Sequence, residues 1–200
     1  MRRSPLQPLH VALLGLALAV PAAAQAQQFE GFEGFDPSVL MGSAQDVLER
    51  TPDAQVDGLF RALHGSMQQP AEADAICRLF DANADRGIDS LNETAMRLPD
   101  ASRQRFVDAI ANAVVAGLQG QPQAWDRAAA AQALKANGTR AAILHDGFTA
   151  GLADGASRDA RCRSLGAMLD VLADRPQSER VPVTRLLLEQ GLAAAAAQSR

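Results

Sequence analysis

Tyrosine is absent from this 200-residue chain, tryptophan occurs once, and aromatic residues make up only 4% of it. Carbohydrate clefts and base-stacking platforms both depend on flat rings, so neither kind of site is well supplied. Histidine is nearly as scarce. His10 lies in a leader segment considered below, which leaves His64 and His145 as the imidazoles for general base work or transition-metal ligation. Neither belongs to a two-histidine helical motif, and no Gly-x-Ser-x-Gly elbow, phosphate loop or dinucleotide fingerprint occurs. The neighbours His145 and Asp146 would point about 100° apart on a helix and so would not form a dyad. Lysine is reduced to Lys135, the other cations being arginine, which reads as the bias of a GC-rich genome. Alternation of Val, Ile and Thr with period two, the mark of a half-buried strand, is missing as well.

A long apolar run occurs only at the start. Met1-Arg2-Arg3, the apolar stretch Leu9 to Val20 and the small-x-small site Ala24-Gln25-Ala26 are the three parts of a secretory signal peptide, so cleavage after Ala26 is expected. The destination implied is the periplasm of a Gram-negative bacterium or the secreted space. The run falls short of the roughly 20 residues of a membrane-spanning helix, and no cysteine at the cleavage site suggests a lipid anchor. No membrane span is expected after cleavage. Removing residues 1–26 takes away Arg2 and Arg3 and no acid, moving the net charge from −4 to −6. An acidic surface makes nucleic acid an unsuitable partner.

Cys77 and Cys162 are the two cysteines of the chain. In an oxidising compartment they are expected to pair. Closing so long a loop is worth roughly 4 to 5 kcal/mol in the chain-entropy picture. A redox couple is the alternative, but the short spacing that tunes thiolate reactivity is absent.

Beyond residue 40 apolar residues recur at helical spacing. The stripes are Val56, Leu59, Phe60, Leu63 and Met67; Ile88, Leu91, Ala95 and Leu98; Phe106, Ile110, Val114 and Leu118; Leu144, Phe148 and Leu152; Cys162, Leu165, Leu169 and Leu172; and Leu188 and Leu192. Breaks fall at Thr51-Pro52, Gly120-Gln121-Pro122, Asn137-Gly138-Thr139 and Asp154-Gly155, read as caps, stops and turns. The fold class expected is all-α, a bundle of eight or nine short helices stapled by one disulfide. One helical domain should occupy residues 43–200, preceded by a flexible Phe- and Gly-rich arm at 27–42. A weak internal repeat relates 53–120 to 139–198. Asp57-Gly58-Leu59 matches Asp146-Gly147-Phe148, Cys77 matches Cys162, and Leu98, Asp100, Val107, Gly117 and Leu118 match Leu172, Asp174, Val181, Gly191 and Leu192.

In the arm, Phe29, Phe32 and Phe35 recur at spacing three between glycines. They read as aromatic anchors, either for the protein's own groove or for docking a partner. Trp125 reads as a core anchor at the start of an Ala-rich helix, or as a ligand-lining ring. The carboxylates Asp170 and Asp174, one turn apart and near Arg175, read as solvated salt links.

The segment around Asp81, Asn83, Asp85, Asp89 and Glu93 resembles the calcium loop of the EF-hand family. Asp81, Asn83 and Asp85 stand at loop positions one, three and five and Asp89 at nine, where oxygen ligands converge on the ion. The pattern departs at position six, which is Arg86 with Gly87 one place late, and at position twelve, which is Asn92 with Glu93 one place beyond. The other reading of the segment is a helix ending at Gly87 followed by solvated acids. For function the sequence points to a non-catalytic helical protein that binds another envelope or secreted protein, as an adaptor, chaperone or inhibitor of the immunity type. No cofactor is called for. A calcium-binding module and a hydrolase built on His64 or His145 are the alternatives.

Overall fold

A computed structural model describes residues 37–81, 84 and 88–198. Among these residues the protein is all-helical, without strands. Eight α-helices follow in order: α1 (Pro37–Arg50), α2 (Asp53–Met67), α3 (Pro70–Cys77), α4 (Ile88–Met96), α5 (Asp100–Gln119), α6 (Arg127–Leu144), α7 (Arg158–Ala173) and α8 (Gln177–Gln198). Two 3-10 turns, Arg78–Phe80 and Phe148–Leu152, complete the set. Residues from Asp36 onward form one compact unit. Helix α1 therefore takes in the end of the 27–42 segment read as an arm, because Pro37 fits the first helical position, where its missing N–H costs nothing. The leader 1–26 and Phe29, Phe32 and Phe35 lie outside the described residues.

Local punctuation explains most of the boundaries. Pro70 opens α3, while Pro52 and Pro99 stand just before α2 and α5. Asp126 caps α6 by accepting from the Ala128 and Ala129 amides at 2.8 and 3.0 Å, and Ser157 caps α7 by accepting from Ala160 at 3.2 Å. One expected break is absent. Asn137-Gly138-Thr139 is not a left-handed turn but the middle of α6. Asn137 Nδ2 donates to the Ala133 carbonyl at 2.8 Å and Thr139 Oγ1 to that of Lys135 at 3.1 Å. Turned back on the preceding turn, these polar groups do not compete with the helix. The break at Thr51-Pro52 is present, but Thr51 is no cap for α2: it is buried, and its hydroxyl donates to Val47 at 2.7 Å.

Helices α2, α7 and α8 enclose the main core, where Phe60, Leu169, Leu172 and Val183 meet with Leu63, Met67, Leu165 and Met168 around them. Smaller clusters join Leu48, Val56 and Val181 across α1, α2 and α8, and Ala75, Ile76 and Leu98 beside α3. Two arginines of α8 tie these layers together. Arg180 Nε donates to Asp57 Oδ1 at 2.7 Å, and its Nη1 reaches the carbonyl of Arg175 at 2.7 Å, just past the end of α7. Its guanidinium lies over the Phe60 ring, 5.1 Å from the centroid. Arg185, only 1% exposed, donates through Nη2 to the Thr51 carbonyl at 2.7 Å and to Asp53 Oδ1 at 3.1 Å. Its other amino group reaches the carbonyl of Leu48. One side chain thus serves the open carbonyls that end α1 and the acid that begins α2.

Helix α5 turns an unexpected face inward. The sequence stripe Phe106, Ile110, Val114 and Leu118 suggests its core face, yet of these Phe106 alone packs inward, against Ala75, Ile76 and Leu98, and the fully buried positions are Ser102, Ala113 and Gly117. Small residues win because α1 passes very close. A Cβ at Gly117 would stand 2.5 Å from the Val47 carbonyl oxygen and 2.8 Å from Thr51 Oγ1. Two of the matched pairs of the internal repeat occupy unlike places, whereas Val107 and Gly117 on α5 and Val181 and Gly191 on α8 each lie within a long helix. Gly58 lies inside α2 whereas Gly147 is a left-handed turn residue with φ 80°, and Cys77 ends α3 whereas Cys162 lies in the first half of α7.

A buried polar network adds a pH-sensitive fastening. Ser102 donates to Glu72 Oε1 at 2.6 Å and Arg105 to Glu72 Oε2 at 3.2 Å, linking α3 to α5. Burial pushes the Glu72 carboxyl up. Hydrogen bonds from Ser102 and Ser66, with the Arg105 charge, outweigh that and hold it below its ordinary 4.5. A carboxylate depressed on folding stabilises the protein above its unfolded value and loses that stabilisation as pH falls through the folded one. Glu72→Gln should therefore melt lower than the parent at pH 7, and the gap should close as the pH is taken below 4.5. Arg185→Met keeps the stem but strands the carbonyls of Leu48 and Thr51, so chemical denaturation should show a loss of about 2 to 5 kcal/mol. Arg185→Lys should recover only part of it, since an ammonium cannot fork between them.

Candidate binding surfaces

The cysteines are joined as expected. Cys77 is the last residue of α3 and Cys162 lies on α7, with their Cα atoms 5.4 Å apart, inside the usual range for a disulfide. The bond fixes α3 against α7, and with no free thiol present it serves as a staple.

The calcium-like segment is only partly described. Asn83 and Asp85 lie outside the described residues. Asp81 is exposed just after the 3-10 turn that follows α3, whereas Asp89 and Glu93 stand one turn apart along α4. Glu93 reaches Arg97 at 3.8 Å, an exposed pair within the helix. Among the described residues no three His, Cys, Asp or Glu side chains are grouped to hold a metal ion.

His64 has a partner that the sequence reading did not foresee. Its Nε2 lies 3.0 Å from Asp170 Oδ1, across the gap between α2 and α7, and Gln68 Nε2 donates to the same oxygen at 2.7 Å. The ring stacks on Phe60 with centroids 5.7 Å apart. Asp170 is thus not a solvated link to Arg175, which instead approaches Glu179 at 3.9 Å. No serine, threonine or cysteine hydroxyl or thiol is bonded to His64 among the described residues. Through Asp170, and with Phe60 and Gln68 beside it, the imidazole joins α2 to α7. His145 follows the end of α6, and its own amide closes that helix on Ala141 at 2.9 Å. Trp125 is half-buried before α6 with the Arg127 guanidinium over its ring at 4.9 Å. Arg127 in turn joins Glu189 at 2.8 Å and Glu49 at 3.1 Å, so the ring belongs to a surface tie between α1, α6 and α8.

The clearest surface feature follows from the reversed face of α5. Val107, Ile110, Val114, Val115 and Leu118 are 40 to 67% exposed. At 100° per residue they share one side of the helix, over about 17 Å of its length. Single exposed apolar residues are common on protein surfaces, whereas these five form a row. The signal was present in the sequence as a helical stripe, and only the choice of burial was missed. Two such faces on one helix look the same to a periodicity argument.

No protein-family model, curated protein or solved structure matches this chain. The calcium reading is settled by titration. Millimolar calcium, the regime of weak extracellular sites, should leave the melting temperature unchanged. A calcium-dependent rise that disappears in Asp81→Ala plus Asp85→Ala would favour the module instead.

Proposed function

We propose that this is a non-catalytic binding protein of the periplasm or secreted space, whose target is another envelope or secreted protein. In that role it would serve as an adaptor, chaperone or inhibitor. The observation that supports the reading is the exposed α5 stripe of Val107, Ile110, Val114, Val115 and Leu118 on a disulfide-stapled frame. A row of apolar side chains on a rigid helix suits an amphipathic helix laid along it, with anchors at the spacing of one helical turn. Because the frame is held by buried arginines and a cross-link, little order has to be gained on binding, which lowers the cost of association.

Affinity capture from periplasm or culture fluid should recover a partner. Ile110→Glu plus Leu118→Glu should weaken that capture at least tenfold, since each lost anchor is worth about 1.5 to 3 kcal/mol. Both positions are exposed, so the melting temperature should stay within a few degrees. Replacing Phe29, Phe32 and Phe35 with Ala tests the arm in the same assay. Capture lost with these and kept with the α5 variant would move the contact to the arm. A parent that sediments as a dimer and an α5 variant that sediments as a monomer would make the stripe a self-association face.

A further inference from the structure

A second apolar surface lies away from α5, in a cleft of about 760 Å³ between α6, α7 and the turn Phe148–Leu152. Leu134, Phe148, Leu165 and Met168 form its walls, and Leu187 of α8 reaches one edge. It is open because α6 carries little bulk there: Gly138, Thr139 and Ala142 face it, and a Cβ added at Gly138 would only just touch the Met168 methyl at 3.5 Å.

Two cations line this apolar space, Lys135 from α6 and Arg161 from α7. Neither forms an ion pair among the described residues, as also holds for the exposed Arg50, Arg140 and Arg163, but Lys135 and Arg161 are the pair that borders this cleft. In a chain of net charge −4, two unmatched cations beside one apolar cleft are complementary to an anion attached to hydrocarbon. Size decides between the anions that qualify. Cavities of about 300 to 1,000 Å³ suit small molecules, while a stable protein contact needs about 800 Å² from each side. The cleft belongs to the first class.

We propose that the cleft binds a long-chain carboxylate, with the acyl chain along Leu134, Phe148, Leu165 and Met168 and the head group at Lys135 and Arg161. Ser164 does not compete for the head group, because its one hydroxyl proton is already engaged by the carbonyls of Phe148 and Ala160, 2.5 and 3.0 Å from Oγ. The site shares no residue with the α5 stripe, so either assignment can fail while the other stands.

The test uses the purified, oxidised protein and dansyl-labelled undecanoate, whose emission rises in apolar surroundings. Saturable one-to-one binding in the micromolar range is expected, with displacement by oleate. Gly138→Leu and Ala142→Phe, each checked by melting temperature, fill the cleft from two positions and should abolish the emission change. Lys135→Gln and Arg161→Gln should each weaken binding about tenfold, the worth of a charge-assisted contact. Oleyl alcohol, which keeps the chain and lacks the charge, should displace the probe poorly. The proposal is overturned by an absent emission change, by unaltered binding in a folded filling variant, or by equal displacement with the alcohol. Stronger displacement by an acidic amphipathic peptide than by oleate would overturn it too.

Discussion

The final carbonyls of an α-helix have no partner inside that helix, and α8 meets the need for two other helices at once. Arg180 reaches the carbonyls at the end of α7, and Arg185 those at the end of α1. Both are also held by acids of α2, Asp57 and Asp53. Burying a guanidinium is costly unless each of its donors finds an acceptor, and helix ends supply acceptors at fixed positions. The position of α8 is therefore set by hydrogen bonds as much as by hydrophobic contact. Phe60, Leu172 and Val183 pack in the space those bonds define. The short connection from α7 to α8 needs no glycine, because Asp174 leaves the helix with a right-handed φ of −73°.

How far the sequence foretold this differs from element to element. Helical periodicity announced the all-α class, and two cysteines behind a leader read as secretory announced the pairing of Cys77 with Cys162. Stops written in backbone chemistry, such as Gly120 after α5, were also legible. Side-chain signals were less dependable. Asn137 and Thr139 look like turn residues, but both bond back to carbonyls four residues earlier and leave α6 unbroken. On α5 Ile110, Val114 and Leu118 marked the wrong side, since the close approach of α1 demanded Gly117. That demand arises only once two helices meet.

Contacts between distant residues were the least legible. His64 and Asp170 are 106 positions apart, and nothing local in either helix tells that α2 and α7 would bring them together. The same holds for Glu72 with Ser102 and for Arg185 with Asp53. Lys135 is a different case. Its rarity was visible, but its meaning depends on its standing beside an apolar cleft opened by Gly138 and Ala142. Small residues on α6, which in a sequence suggest only helix propensity, become in space the reason that a gap exists.

The disulfide gives the molecule an unusual relation to cutting. With Cys77 joined to Cys162, α4, α5 and α6 lie within a covalent ring, while α1 to α3 and α7 to α8 form two tails leaving it. Those tails pack on each other, α1 and α2 against α8, so the ring is closed a second time by non-covalent contact. A single peptide break between Arg78 and Arg161, for example in the exposed connection after Gly120, opens the ring without dividing the chain into separable parts. In a compartment rich in proteases, such a molecule can be nicked and remain assembled. Its fragments would part only when reduction and unfolding act together.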